Sequence, residues 1–412
     1  MKKYIKNIVP VAALLLTMGT ATSCVGDLDV TPINPNIQTG LNIDGLFNKC
    51  YANFALAGNG GANGDCDIDG IDGGTSGFVR QTFNANELPT DEAICGWGDD
   101  GIAGFCYNSY NASNPMLIGL YARITTGIAY CNQYLAEAGD QDATKLAEIR
   151  FLRAYEYFSL MDGWGNIPFT LQPLTKPERY TRAQVYEWLE KELLEIEPSL
   201  SDAKAKKSTD AGYGRVDKAA CWLLLSRLYL NAEVYTGTPQ WEKAKSYAKK
   251  VMDSSYKLNT KSVNGWSAYQ MLFMGDNGET DAAYEGIFPL LQDGLKTTSW
   301  GTTLFLLAST YDQDMHANPN NPSATNGTDQ AWGGNRARPD LVKKFFPNGN
   351  VPNLESYATA KAAGDDRALF NGVNRSLDND DVATFKSGFG VAKFTNFKTD
   401  GSAGKDATFP DA

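Results

Sequence analysis

A single histidine, His316, serves the whole 412-residue sequence, and it lies among Asn and Pro residues as a loop residue would. Histidine is the usual general base and the commonest metal ligand, so Ser-His-Asp triads and His-based metal centres are all but ruled out. Apart from Cys24, the cysteines Cys50, Cys66, Cys95, Cys106, Cys131 and Cys221 show no CxxC spacing of a zinc or redox site, and their positions assign no disulfide pairing. The 48 acidic residues leave room for the two carboxylates, ~5–10 Å apart, that a glycoside hydrolase sets across the scissile bond, but no signature marks such a pair. An acidic loop, Asp276, Asn277, Glu279 and Asp281, offers hard oxygen ligands that suit calcium; it lacks EF-hand spacing, and a solvated acidic turn is the competing reading. No other cofactor is called for. Aromatic rings remain, 11% of the chain, many of them Tyr and Trp outside the helical stretches. Flat rings on which the C–H face of a pyranose stacks are the chemistry this composition suits.

The N-terminus reads as an address. Lys2, Lys3 and Lys6 precede a short apolar run, Ile8 to Met18, too short to span a bilayer that requires ~20 apolar residues. Small residues then lead to Cys24, followed at once by a polar stretch. This resembles a lipoprotein signal peptide over residues 1–23 with Cys24 as the lipidated residue. Several acyl chains on one cysteine satisfy the requirement of stable anchoring for more than one chain. Nothing later in the sequence is long and apolar enough to cross a membrane, so the membrane is met only through the anchor. With 37 basic against 48 acidic side chains the net charge is −11, more negative without the leader, which disfavours nucleic acid and anionic headgroups as partners.

The elements that must position the rings change character along the chain. Residues 24–57 read as a tether and a first helix carrying Leu46, Phe47, Cys50, Tyr51 and Phe54. Residues 58–114 read as irregular, beginning with eight glycines between Gly58 and Gly77, interleaved with aspartates. From 115 to 255 the apolar spacing is helical. Asn114 caps with Pro115 at the first position; a second helix runs from about Asp142 to Met161; Thr181-Arg182-Ala183-Gln184 fits a capping box. Val216 to Val234 and a partner capped by Thr238, presenting Trp241, Ala244, Ala248 and Val251, form a hairpin similar to a tetratricopeptide unit or, equally, a generic helical pair. After Ser255 only Pro339 to Phe346 keeps helical spacing, and residues 256–412 read as long loops and short strands. The fold class expected is mainly α: a tetratricopeptide-like helical lobe beside an irregular, loop-rich lobe.

Several segments, in order along the chain, carry a resemblance: GFVR from Gly77, TFNANELPTDE from Thr82, EIRFLRA from Glu148, GRVDKAA from Gly214, YLNA from Tyr229, QDGLKT from Gln292 and AAGDDR from Ala362. Together they are similar to the SusD/RagB-like outer-membrane lipoproteins of Bacteroidetes, most closely to the starch-binding members. The resemblance implies tetratricopeptide-like helices that pack against a SusC-like TonB-dependent transporter, an outward-facing position on the bacterial outer membrane, and a glycan-holding lobe, with other surface glycan-binding lipoproteins as further candidate partners. It implies an aromatic arc for α-glucan or maltooligosaccharide at Trp97, Trp300 and Trp332, and polar partners at Asp72 and Arg80. Asp100 falls where the starch binder has an amide, and a carboxylate there can only accept hydrogen bonds. Trp164 replaces a family Phe and reads as packing. The sequence stops at Ala412, where family members continue, so the loop-rich lobe is expected to be incomplete. The function expected is non-catalytic capture of starch for the transporter. A glycoside hydrolase, a SusD-like binder of another glycan or a peptide, and a scaffold without a ligand are the alternatives.

Overall fold

The computed structural model describes residues 41–64, 66–139, 142–321 and 323–411. The leader and Cys24 lie outside the described residues. Two units divide the chain between Gly45 and Leu46, and the architecture below is that of Leu46–Ala412. In chain order the helices and strands are α1 (Ile43–Ala52), α2 (Phe78–Glu87), β1 (Ala93–Cys95), α3 (Ile102–Cys106), α4 (Pro115–Glu137), α5 (Ala143–Trp164), β2 (Ile167–Phe169), β3 (Glu178–Tyr180), α6 (Arg182–Ile196), α7 (Lys218–Leu230), α8 (Ala232–Thr236), α9 (Trp241–Met252), α10 (Thr303–Ala308), β4 (Asn335–Ala337), α11 (Pro339–Lys344), α12 (Ser356–Ala363), β5 (Phe370–Asn371) and β6 (Gly390–Val391). The fold is mainly α. Among the described residues strands occur only as antiparallel pairs, β1 with β4, β2 with β3 and β5 with β6.

Helix starts follow from side chains that satisfy the free amides of a first turn. Asn114 Oδ1 accepts from Met116 N at 3.0 Å and Leu117 N at 3.2 Å, with Pro115 at the first position of α4. Asp142 caps α5 through Thr144 N, Thr181 and Gln184 form the full capping box of α6, and Asp217 caps α7 through Ala219 N. Gly165 and Gly237, at φ of 73° and 79°, end α5 and α8 in backbone conformations that side-chain-bearing residues rarely adopt. α4 packs on α5, α5 on α6, and α7 on α9. α5 presses close on α4 at Gly127, where a Cβ would stand 2.0 Å from Glu156 Oε1. Glu156 is fully buried, and burial, then the Cys131 thiol, push its carboxyl well above the usual range, while Asn53 donates to its Oε1 at 2.8 Å.

Motif residues behind the family resemblance turn out to be scaffold. Glu148 takes a hydrogen bond from Tyr51 (2.6 Å) and pairs with Arg215 (2.8 Å), which ties α1 and the approach to α7 onto α5. Arg153 bonds Asn132 and pairs with Glu192, and Arg150 joins the same Glu192 from the next turn. These are partly desolvated charges held in pairs, which specify the arrangement of four helices.

Several expectations need correction. Thr238 does not cap α9; Gln240 precedes it without a side-chain cap bond, and Trp241 points outward at 58% exposure. The stretch Val216 to Val234 is two helices, because Asn231 leaves helical geometry between α7 and α8. The segment read as irregular contains α2 and α3. Polar residues hid α2: its buried face includes Arg80, Gln81 and Asn84, so the apolar period that marks a helix is broken. Past α9 the chain forms only short helices, turns and strand pairs.

The glycine-rich loop after α1 is pinned by Arg123 of α4, whose side chain is wholly buried. It donates to Ser76 O at 2.9 Å, Ala57 O at 2.9 Å and Ser76 Oγ at 3.0 Å, with Asp67 3.8 Å away. Arg123→Met keeps the volume and orphans these acceptors. The expected loss is about 3 kcal/mol of stability by urea denaturation, with faster amide exchange in residues 57–76; an unchanged midpoint and exchange pattern would refute the role of Arg123 as the pin.

Candidate functional site

Trp97 follows β1, Trp300 ends the loop before α10, and Trp332 precedes β4. They come together because their segments are tied to the same two helices. Gly301 O accepts from Arg80 N at 3.0 Å, filling a free amide in the first turn of α2. A Cβ at Gly77 would lie 2.7 Å from that same carbonyl. Trp332 N donates to Ala308 O at 2.7 Å, which fastens the third segment to the end of α10. β1 pairs with β4 in the register Cys95 to Asn335, and Gly96 N donates to Gly334 O, which brings Trp97 alongside Trp332. Gly334 must be a glycine: a Cβ would stand 2.2 Å from the Trp97 indole.

All three rings are half-buried. Trp332 is central, with ring centroids 6.2 Å from Trp97 at 51° and 6.3 Å from Trp300 at 44°. Beneath Trp300 and Trp332, Leu304, Leu307 and Ala308 of α10 supply an apolar bed, while Trp97 packs on a separate cluster that includes Ile94, Ile102 and Phe105. The indole N–H of Trp300 donates to Ala62 O at 3.0 Å and that of Trp332 to Gln330 Oε1 at 2.8 Å, fixing both ring planes. Neighbouring ring planes tilted by 51° and 44° do not form one flat platform.

Arg80 lies over the Trp97 ring at 5.4 Å and forms an ion pair with Asp99. Its Nε is buried with no hydrogen-bond partner. Asp72 is exposed; it accepts from Gly74 N (2.8 Å), Thr75 N (3.1 Å) and the Thr75 hydroxyl. Burial raises the Asp72 carboxyl, but the Thr75 hydroxyl, the Thr75 and Gly74 amides and the Arg80 charge together hold it below the usual carboxylate range. A Cβ at Gly74 would touch Asp72 Oδ1, Trp300 Cβ and Arg80 Nη1, so these three side chains converge on one glycine. Asp100 is exposed on the turn before α3, and it is the neighbouring Asp99 that reaches Arg80.

The side chains of the acidic loop point to different partners. Among the described residues no group of three metal-ligating side chains gathers anywhere. Asp281 spends its two oxygens on Lys207 (2.9 Å) and Lys261 (2.8 Å), while Asp276 turns inward to Thr399 N and Oγ1. Lysines and an internal hydroxyl have taken the ligands a cation would need.

A family model described as SusD-like, starch-binding, associating with the outer membrane, matches residues 91–230. Over 99% of its length the chain is 37% identical to the starch-binding protein SusD of Bacteroides thetaiotaomicron, of which it covers 78%. The chain belongs to the SusD family. Solved structures share its fold: a laminarin-binding SusD-like protein (TM-score 0.58, 17% identity, 91% of this chain and 76% of that one), and surface glycan-binding protein A from Bacteroides thetaiotaomicron in complex with laminarihexaose (TM-score 0.56, 17% identity, 90% and 74%). The chain spans about half, 51%, of a SusD-like protein from Bacteroides fragilis (TM-score 0.49, 17% identity, 73% of this chain).

In this SusD-family chain the structure adds residues that the sequence did not single out. Phe409 lies 5.0 Å from Trp300 and extends the row of rings to four. Asp99 orients Arg80, and its only sequence signal is its place beside Asp100. Asp293 organises the loop that leads to Trp300, accepting from Leu295 N, Lys296 N, Thr297 N and Thr297 Oγ1. Burial raises its carboxyl, yet these donors overcome that and pull it down to about 2. A depressed folded-state value means the stabilisation is present above the ordinary Asp range and is lost as pH falls from about 4 to about 2. Asp293→Asn should remove that acid-dependent part, on the order of 1 kcal/mol after solvent screening. Urea midpoints of the two proteins compared between pH 5 and pH 2 check this; parallel curves would contradict it.

Proposed function

We propose that this protein is a non-catalytic surface glycan-binding lipoprotein, anchored at Cys24 to the outside of a bacterial outer membrane, that captures starch or maltooligosaccharide and delivers it to a SusC-like TonB-dependent transporter. Supporting the reading most directly is the row of Trp97, Trp332 and Trp300, at 6.2 and 6.3 Å spacing, in a chain 37% identical to a starch-binding relative. On this reading residues 58–114 and 256–412 form the glycan lobe and 115–255 the helical lobe that faces the transporter. Sugar rings stack on the indole faces, while Arg80 and Asp72 meet hydroxyl groups with charge-assisted hydrogen bonds. Modest affinity per ring suits a protein that must let go of its cargo.

A second glycan has a specific observation behind it, since the two fold relatives with TM-scores above 0.5 described above are named for laminarin or hold laminarihexaose. Titration calorimetry against maltoheptaose and laminarihexaose separates the two. Maltoheptaose is expected to bind more tightly, and Trp97→Ala and Trp300→Ala are each expected to weaken it about ten-fold, the equivalent of one lost stacking contact. Unchanged binding in both variants would sink the arc. Incubation with maltoheptaose is expected to yield no shorter products; turnover abolished by removing one carboxylate would make the protein a hydrolase instead.

A further inference from the structure

Helix α10 has a second face. Leu304, Leu307 and Ala308 pack against Trp300 and Trp332, whereas Leu306 on the opposite side lines a cavity of about 500 Å³. Its walls come from α2, the start of β1, α11 and the β5–β6 pair, so it lies one helix away from the tryptophan row, and only Phe394 reaches both. None of the residues placed in the tryptophan site lines it.

Three features describe what the cavity can hold. Phe83, Tyr269, Phe345 and Phe394 provide ring surfaces. Glu87 and Glu92 stand close enough to share a hydrogen bond; burial, then the Glu92 charge, raise the Glu87 carboxyl, and Lys393 draws it back. Asn335, 2% exposed, also lines the cavity, and its Nδ2 donates to Ser309 Oγ at 2.9 Å, which fixes this part of the wall.

The arginines at this site are already engaged. Arg367 is bonded through Nε and Nη2 to Asp365, at 2.9 and 2.6 Å. Lys393 lies over Tyr269 at 5.6 Å and Phe273 at 4.4 Å, where it repels a second cation. Arg336 is taken up by the carbonyls of Ser387, Gly334 and Val382. Ring faces, the two carboxylates, the Lys393 ammonium and the Tyr269 hydroxyl remain. A complementary ligand both donates and accepts hydrogen bonds, is uncharged and is apolar on one face, which is the description of a neutral sugar, and the volume suits one or two rings.

We propose that this cavity is a second saccharide subsite, taking a mono- or disaccharide unit with its hydroxyl groups directed to Glu87 and Glu92 and its apolar face against Tyr269 or Phe83. The proposal rests on the glycan reading above only for the class of ligand.

The test uses the full chain, with maltose and maltoheptaose as probes in calorimetry and saturation-transfer NMR. Maltose is expected to bind the wild-type protein. Tyr269→Ala and the isosteric Glu87→Gln, on separate elements, are each expected to weaken maltose about ten-fold while maltoheptaose affinity stays the same. The double variant Trp97→Ala/Trp300→Ala is expected to do the reverse. Maltose binding that vanishes in the tryptophan variant and is untouched by both cavity variants overturns the subsite and leaves the proposed function standing. Retention of maltoheptaose binding by the tryptophan variant removes the arc without touching the subsite. Choline competing with maltose for the cavity would overturn the neutral-sugar assignment. Circular dichroism of the two cavity variants separates lost folding from lost binding, and Glu87→Gln, which changes no volume, decides the matter if Tyr269→Ala unfolds.

Discussion

The site depends on a contact between two stretches of bare backbone. Gly77, at the start of α2, and Gly301, just after Trp300, approach so closely that a methyl group on either would collide with the other segment: a Cβ on Gly77 would stand 2.7 Å from Gly301 O, and one on Gly301 would stand 2.8 Å from Gly74 O. The approach lets the Gly301 carbonyl reach an amide of the α2 first turn that would otherwise be free. One hydrogen bond thereby joins the glycine-rich loop, the helix that carries Arg80 and the loop that carries Trp300. Arg123 locks the same loop from beneath by gripping Ser76 and Ala57. Polar backbone that would be a liability in a packed protein becomes the fastening of an aromatic surface.

Helices were the most legible part of the sequence because their signals are local. Asn114 before Pro115, and Thr181 three residues before Gln184, name their helix starts from a few residues, and the structure has both caps. α2 was not legible. Its inward face carries Arg80, Gln81 and Asn84, polar residues that break the apolar period by which a buried helix face is read from sequence. Thr238 failed as a cap for the converse reason: the right residue type stood near a helix whose first turn begins three residues later, at Trp241. In the site, the three tryptophans stood out by type and by their polar surroundings. Their mutual tilt, the supporting Gly334 and the fourth ring of Phe409 depend on strand register and loop crossings that no short window encodes.

The residues that make the chain recognisable and those placed to meet a ligand are largely different. Glu148, Arg153 and Asp217 sit in buried pairs and caps of the helical scaffold, where replacing one partner strands the other in a dry environment. The aromatic row stands on loops, where a ring can be gained, lost or turned without disturbing the helices. A fold can thus stay constant among relatives below one-fifth identity while what they hold differs.

The indole N–H groups of Trp300 and Trp332 are already bonded to Ala62 O and Gln330. Such a ring presents its π surface and withholds its only donor. On the glycan reading these two rings would therefore grip a chain by contour alone, and its register would have to be set where the polar groups stand, at Arg80 and Asp72 beside Gly74. The same row then divides its labour, with rings that hold a repeating chain at one end and charges that index it at the other.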